Sequence, residues 1–320
     1  MRTVNNRRPA WKVNLLAVSG CFLVAIVSPS IVRTQSSLTE DWQKAAGGKI
    51  SFDVASVRQD TNPDADTQSN VPLGSMDSFS DSFSSTGGLF RASDFLLSQY
   101  IAFAYKLSPE EAKRVQLQLP KWADTNQYDI IARASGNPTK DQLRLMMQSL
   151  LADRFQLSVH YETKEMPVMA LMLDKPGKLG PGLRKHKEDG VPCTTVAASE
   201  GTLTTAAGFP VECGTVVHLP VSASGVAHLG ARAIDSLMLA DVLGVWYQVD
   251  KPVVDNTELG VVDFAIEFTP NRMTNKGLMY NPDAPTFLEA LKEQLGLKFE
   301  ARKAPVRSMI IDHLEQPSPN

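Results

Sequence analysis

Apolar positions along this chain change their period several times, and each change marks an element. Leu143, Met146, Met147, Leu150 and Leu151 recur at i, i+3, i+4, i+7 and i+8, which puts them on one stripe of a helix. Thr139 and Gln142 stand before that stripe at capping-box spacing, so a helix is expected over 140–154. Elsewhere the period falls to two. Tyr128–Ala134 alternates as a strand, and Leu157, Val159 and Tyr161 face away from Ser158, His160 and Glu162. Pro167 then interrupts the alternation, giving expected strands Phe155–Glu162 and Val168–Asp174 on either side of it.

The same order returns roughly 135–145 residues later. A helix over Ala231–Leu243 takes the place of the one over Phe95–Tyr105, and Lys251–Asp255 stands where Leu119–Trp122 stood. A strand over Val262–Phe268 answers Tyr128–Ala134. Thr286 and Glu289 repeat the capping box before Phe287, Leu288, Leu291 and Leu295, and Gly296 is placed to end that helix. Strands Leu297–Ala301 and Val306–Leu314 then flank Pro305. The pattern predicts an α+β fold. It is a tandem duplication of strand–helix–strand–helix–strand–strand units, with a loop-rich, disulfide-stapled insertion between them. The expected organisation is an N-terminal strand and flexible polar segment over 31–88, a first copy over 89–175, the insertion over 176–230 and a second copy over 231–320.

Residues 1–30 read as a signal peptide. Arg2, Arg7, Arg8 and Lys12 precede the apolar run Val13–Val27, and Ser28 and Ser30 suit cleavage. An uncleaved anchor extending to Val32 and lipidation at Cys21 are the alternatives. Without that segment 28 basic residues face 35 acidic ones, a balance that speaks against nucleic acid as partner. The expected location is outside the cytoplasm, whether periplasmic, secreted or envelope-associated. The membrane is touched only through the N-terminal segment if it is kept. In such a compartment Cys193 and Cys213 read as one disulfide.

Candidate chemistry is sparse. His160, Glu162, Asp312 and His313 are the acid–base candidates, with a solvated cross-strand pairing as the alternative for His160 and Glu162. Trp122, beside Pro120, is the candidate binding residue, a ring able to stack on a sugar or a peptide; burial between helix and sheet is the competing reading. His186, His218 and His228, with Glu188 and Asp189 nearby, lack the spacing of a zinc site, so no metal and no cofactor are expected. Asp255 is read as a local turn partner. Met146, Met147, Met166, Met169 and Met172 are read as core filler. The chain is therefore expected to be a non-catalytic binding or scaffolding module of the cell envelope, with an envelope protein or a glycan or peptide as partner. The alternative is an envelope hydrolase with its site between the two repeats.

Several stretches carry a resemblance. Phe52–Val57, Pro120–Trp122, Tyr128–Ala132, Leu150–Leu157, His160–Glu165, Val253–Asp255, Glu293–Leu297 and Ile311–Pro317 together resemble the exported "soil-associated" proteins expanded in acidobacteria, over roughly residues 49–320. That resemblance implies export and no established reaction. One turn departs from it: the family tends to write Thr-Gly-Leu where this chain has Thr257-Glu-Leu259.

Overall fold

The computed structural model describes Met1 and residues 42–62, 64–74, 83–188, 190–193, 204–221, 225–270 and 281–317. The expected signal peptide, the Cys21 alternative and part of the polar 31–88 segment lie outside the described residues.

Two four-stranded antiparallel sheets are each built around a strand of alternating burial. In the first, β4 (Gln127–Arg133) lies between β1 (Val54–Asp60) and β3 (Leu89–Leu96), and β2 (Gln68–Ser69) adds to the far side of β3. Tyr128, Ile130 and Ala132 point inward, as the two-residue period requires. They meet α1 (Leu97–Ala104) and α4 (Lys140–Arg154), whose Leu143, Met147 and Leu151 are fully buried. Each such side chain contributes about 2 kcal/mol by leaving water. Buried Tyr100 on α1 donates its hydroxyl hydrogen to the Tyr128 carbonyl at 2.7 Å, which fixes helix to sheet.

In the second sheet β10 (Val261–Phe268) lies between β6 (Leu183–Lys185) and β8 (Ala227–Asp235), with β7 (Val216–His218) outside β8. Its core includes Leu239, Val242 and Leu243 of α5 (Ser236–Tyr247). Phe287 of α6 (Phe287–Ala290) joins them, and that helix continues as a π-helical turn over Leu291–Leu295 ended by left-handed Gly296. Short helices α2 (Pro109–Gln116) and α3 (Lys121–Thr125) flank the first core.

The third sheet joins the two. β5 (Ser158–Leu173) pairs along its length with β11 (Leu297–His313), and β9 (Val253–Asp255) adds in parallel to its far end. Val159 and Tyr161 of β5 and Met309 and Ile311 of β11 pack on the first core, while Leu171 and Leu297 lie in the second. Sixteen residues at about 3.3 Å each make β5 a ladder about 50 Å long.

Several expectations are corrected. Pro167 and Pro305 do not divide strands. Pro167 sits opposite Lys303, and Pro305 opposite Glu165. Met169, of the same parity as Pro167, turns its N–H away from β11 to the Pro252 carbonyl at 2.9 Å. Both prolines therefore fall at pairs that exchange no ladder hydrogen bond between β5 and β11, where a missing N–H costs nothing. The helix expected from Ala231 begins only at Ser236, because Ala227–Asp235 pairs with β10 and the Asp235 carboxylate caps Leu237 N–H at 2.8 Å. Likewise α1 starts at Leu97 rather than Phe95. Lys251–Asp255 ends in a strand whereas Lys121–Thr125 is helical, so these two stretches do not match. Helix α2 has no counterpart among the expected elements, yet Ser108 and Glu111 form a capping box of their own.

Of the methionines read as core filler, Met146 and Met147 are buried, while Met166, Met169 and Met172 are half-buried on the shared ladder. Asp255 accepts from Ser236 Oγ, Thr257 Oγ1 and Thr257 N–H at 2.6–2.9 Å and closes the turn after β9. In that turn Glu258 adopts φ +57°, a left-handed conformation that glycine would take more easily.

Candidate functional site

Cys193 and Cys213 are bonded, with a Cα–Cα distance of 5.4 Å. The bridge staples the segment that leaves β6 to the one that enters β7.

The long ladder brings His160 and Asp312 together from strands distant in sequence. His160 Nδ1 lies 2.6 Å from Asp312 Oδ1, and its Nε2 lies 3.5 Å from Glu162 Oε1. A register shift between Ile311 and His313 aims Asp312 at the imidazole. The hydrogen bond with Asp312 raises the His160 pKa, helped by Glu162. Glu162 is held below its ordinary value, first by Lys164 and then by His160. Lys164 is mostly exposed, and His160, Glu162 and Asp312 are each about two-fifths to half exposed to water. His313 is not part of the group, since it turns to Glu315 at 2.8 Å. A carboxylate–imidazole pair can hold one tautomer and move a proton, but its solvation weakens each charge interaction.

Trp122, on α3, is half-buried and packs against the first core. The insertion histidines are dispersed. His186 binds Asp263, His228 Nδ1 lies 2.6 Å from the Pro220 carbonyl, and the His218 ring meets Trp246 edge-on. Among the described residues no three His, Cys, Asp or Glu side chains gather as a metal site, and no helix is long and apolar enough to cross a membrane.

No periodicity or motif marks the cleft beside α4. The segment leading into β1 crosses α4 and leaves a groove of about 780 Å³ whose walls include Lys49, Phe52, Ala55, Ser149, Asp153 and Arg154. A second groove, of about 590 Å³, adjoins it and shares Lys49, Ser149 and Ala152. Across the first groove Arg154 Nη2 reaches the Ala55 carbonyl at 3.3 Å.

Beside the second sheet the segment before β6 packs directly on the π-helical turn. Val54 lies four residues before Arg58, which pairs with Asp129; Gly180 lies four residues before Arg184, which pairs with Asp263. Gly180 N–H donates to the Leu295 carbonyl at 3.0 Å, and Gly182 N–H to the Gln294 carbonyl at 2.7 Å. A Cβ on Gly180 would stand 2.2 Å from the Gln294 carbonyl oxygen, so only glycine allows this approach. Val54 cannot come so near. It is 67% exposed. The periodic pattern misses the difference because it lies in side-chain bulk, valine against glycine, four residues before each paired arginine.

The family described as "Protein of unknown function (DUF3738)" has a sequence model that matches residues 98–314, well over half of the chain. The chain belongs to this family. The DUF3738 span runs from α1 to the residue after β11, taking in the second core, the helical side of the first, the disulfide, Trp122 and the His160–Asp312 pair. Strands β1, β2 and β3 and the Lys49–Ala55 wall of the groove precede it. No curated protein and no solved structure matches the chain.

Proposed function

We propose that this DUF3738 protein is an exported, cell-envelope binding module without catalytic activity, built by tandem duplication, whose ligand lies in the groove between residues 49–55 and α4. The observation that carries this reading is the contrast at the ends of the two helices. One half packs its own backbone against Gln294 and Leu295; the other keeps about 780 Å³ there with apolar, amide and charged walls. Such mixed linings fit small glycans or short peptides better than an apolar cofactor. The disulfide, the apolar stretch after Lys12 and the resemblance to exported soil-associated proteins support the envelope.

Titration calorimetry with soluble peptidoglycan fragments and with short envelope peptides tests the reading. Ala152 is exposed on α4 and lines both grooves, so Ala152→Trp fills them without touching the core. Saturable heat lost in Ala152→Trp is the expected result. Heat unchanged by that substitution, or none for either ligand class, contradicts it.

The 2.6 Å His160–Asp312 contact favours a second reading, an envelope hydrolase with its site on the ladder between the halves. A folded His160→Ala variant that loses a hydrolytic activity of the wild type would put this reading first.

A further inference from the structure

The two sheets differ most on the faces turned away from their cores. On the second sheet, Asp263 is wholly buried although it lies on the outward side of β10. It accepts from Arg184 Nε at 2.7 Å and from Ala233 N–H at 2.9 Å, and lies 2.6 Å from His186 Nδ1. The disulfide-stapled insertion provides the cover. The Phe209 ring stacks 4.3 Å from the Arg184 guanidinium. Leu219 and Pro210 press on Gly230, where an added Cβ would meet them at 2.7 and 3.1 Å.

On the first sheet, Asp129 and Arg58 occupy the places of Asp263 and Arg184 in the pairing of their strands. Arg91 faces Ile131 as Gly230 faces Ala265. Here Arg58, Arg91 and Arg133 are all exposed, and Ile131 is 46% exposed. A cavity of about 410 Å³ opens between Arg91, Asp129, Ile131, Gln68 and Asn70. Three guanidinium groups share this face with two carboxylates: Asp129, which already holds the Asp94 N–H at 3.1 Å, and Asp60, whose Oδ1 accepts the Asn62 N–H at 2.8 Å. The face is basic on a chain whose net charge is −3.

From this charge and from the cover of the other sheet we infer that the outward face of the first sheet docks an extended acidic segment of a partner protein that carries an aromatic ring. The ring stacks on Arg58 as Phe209 stacks on Arg184. Flanking carboxylates take Arg91 and Arg133, where a charge-assisted, forked hydrogen bond is the strongest polar contact on offer. The aliphatic floor is Ile131. This surface lies outside the groove by α4 and does not depend on it.

The test is fluorescence anisotropy of the full chain with a fluorescein-labelled peptide containing DFPDE between serines. The wild type should bind it saturably, and binding should fall steeply with salt. Arg58→Ala and Arg91→Ala should each weaken it about tenfold, the loss expected for one charged hydrogen bond or stacked pair. A peptide with alanine for phenylalanine should bind more weakly, and one with lysine for each acid not at all. The groove variant Ala152→Trp should bind as the wild type does, so failure of the groove reading leaves this result standing. Absence of binding by the wild type overturns the inference. So does equal binding by the arginine variants, equal binding of the alanine peptide, or loss of binding in Ala152→Trp.

Discussion

Asp129 and Asp263 hold the same backbone irregularity in two different sheets. Each carboxylate accepts the N–H of a left-handed residue on the neighbouring strand, Asp94 at φ +61° and Ala233 at φ +53°. Each lies where the strand register shifts. A bulge leaves one residue unpaired, and the aspartate supplies the acceptor that the ladder no longer offers. Their surroundings differ: Asp263 is sealed with Arg184 and His186, whereas Asp129 is half-exposed. Asp263→Ala should therefore cost about 3–5 kcal/mol, the range for breaking a buried ion pair, and Asp129→Ala about 1 kcal/mol. Urea denaturation of the two variants measures both, and equal losses would contradict the assignment.

The disulfide closes a separation of 20 residues. Reduction, or alanine at both Cys193 and Cys213, should lower stability by about 3 kcal/mol on the chain-entropy account. Denaturation with and without reductant gives the difference. Thiol titration of the unreduced, denatured protein should find neither cysteine reactive.

Glu258 takes a left-handed conformation in the turn that Asp255 and Thr257 close. An L side chain there costs about 1–2 kcal/mol, while glycine restores freedom to the unfolded chain. Glu258→Gly should accordingly raise stability by up to about 1 kcal/mol, read as an upward shift of the thermal midpoint. A fall in the midpoint would show that Glu258 makes a contact worth more than the strain.

Asp241 on α5 is buried near α2, within the field of Glu110, Glu111 and Arg114 and close to Ser108. Burial, reinforced by Glu111, pushes its pKa well above the ordinary aspartate value of 3.8. Burial also raises Glu111. A carboxyl that binds its proton more tightly when folded adds stability that is complete below the unfolded pKa. That stability is lost as pH rises through the folded value. The α2–α5 contact should therefore weaken as pH rises above the ordinary aspartate range. Asp241→Asn should flatten the curve and be more stable than the wild type at neutral pH. Denaturation midpoints taken from that range up to neutral pH decide it, and parallel curves for the two proteins would contradict it.

Much of the fold is legible wherever one period or one cap dominates. The stripe Leu143–Leu151 and the boxes at Thr139 and Thr286 place their helices within a residue, because cap and stripe agree. Pro167 misleads, since a proline read alone says nothing about which ladder positions carry hydrogen bonds; that parity is set by a partner some 136 residues away. Helix α2 escapes the pattern because only Val115 in it is buried, leaving its Ser108–Glu111 box without an apolar stripe to confirm it. At the candidate sites, His160 and Glu162 are legible from alternation, but His160 meets Asp312 only through the β5–β11 register. The groove and the basic outer face are not legible. Each depends on where a loop comes to rest, at Gly180 in one case and at Phe209 and Leu219 in the other.

Backbone amide mapping of the isotope-labelled protein, titrated with peptidoglycan fragments and short envelope peptides, tests the binding account most directly. Shifts gathered over Lys49–Ala55 and Ser149–Gln156, and silent in the second half, are the predicted result. Shifts centred on His160 and Asp312, shifts spread equally over both halves, or a spectrum unmoved by either ligand class would contradict it.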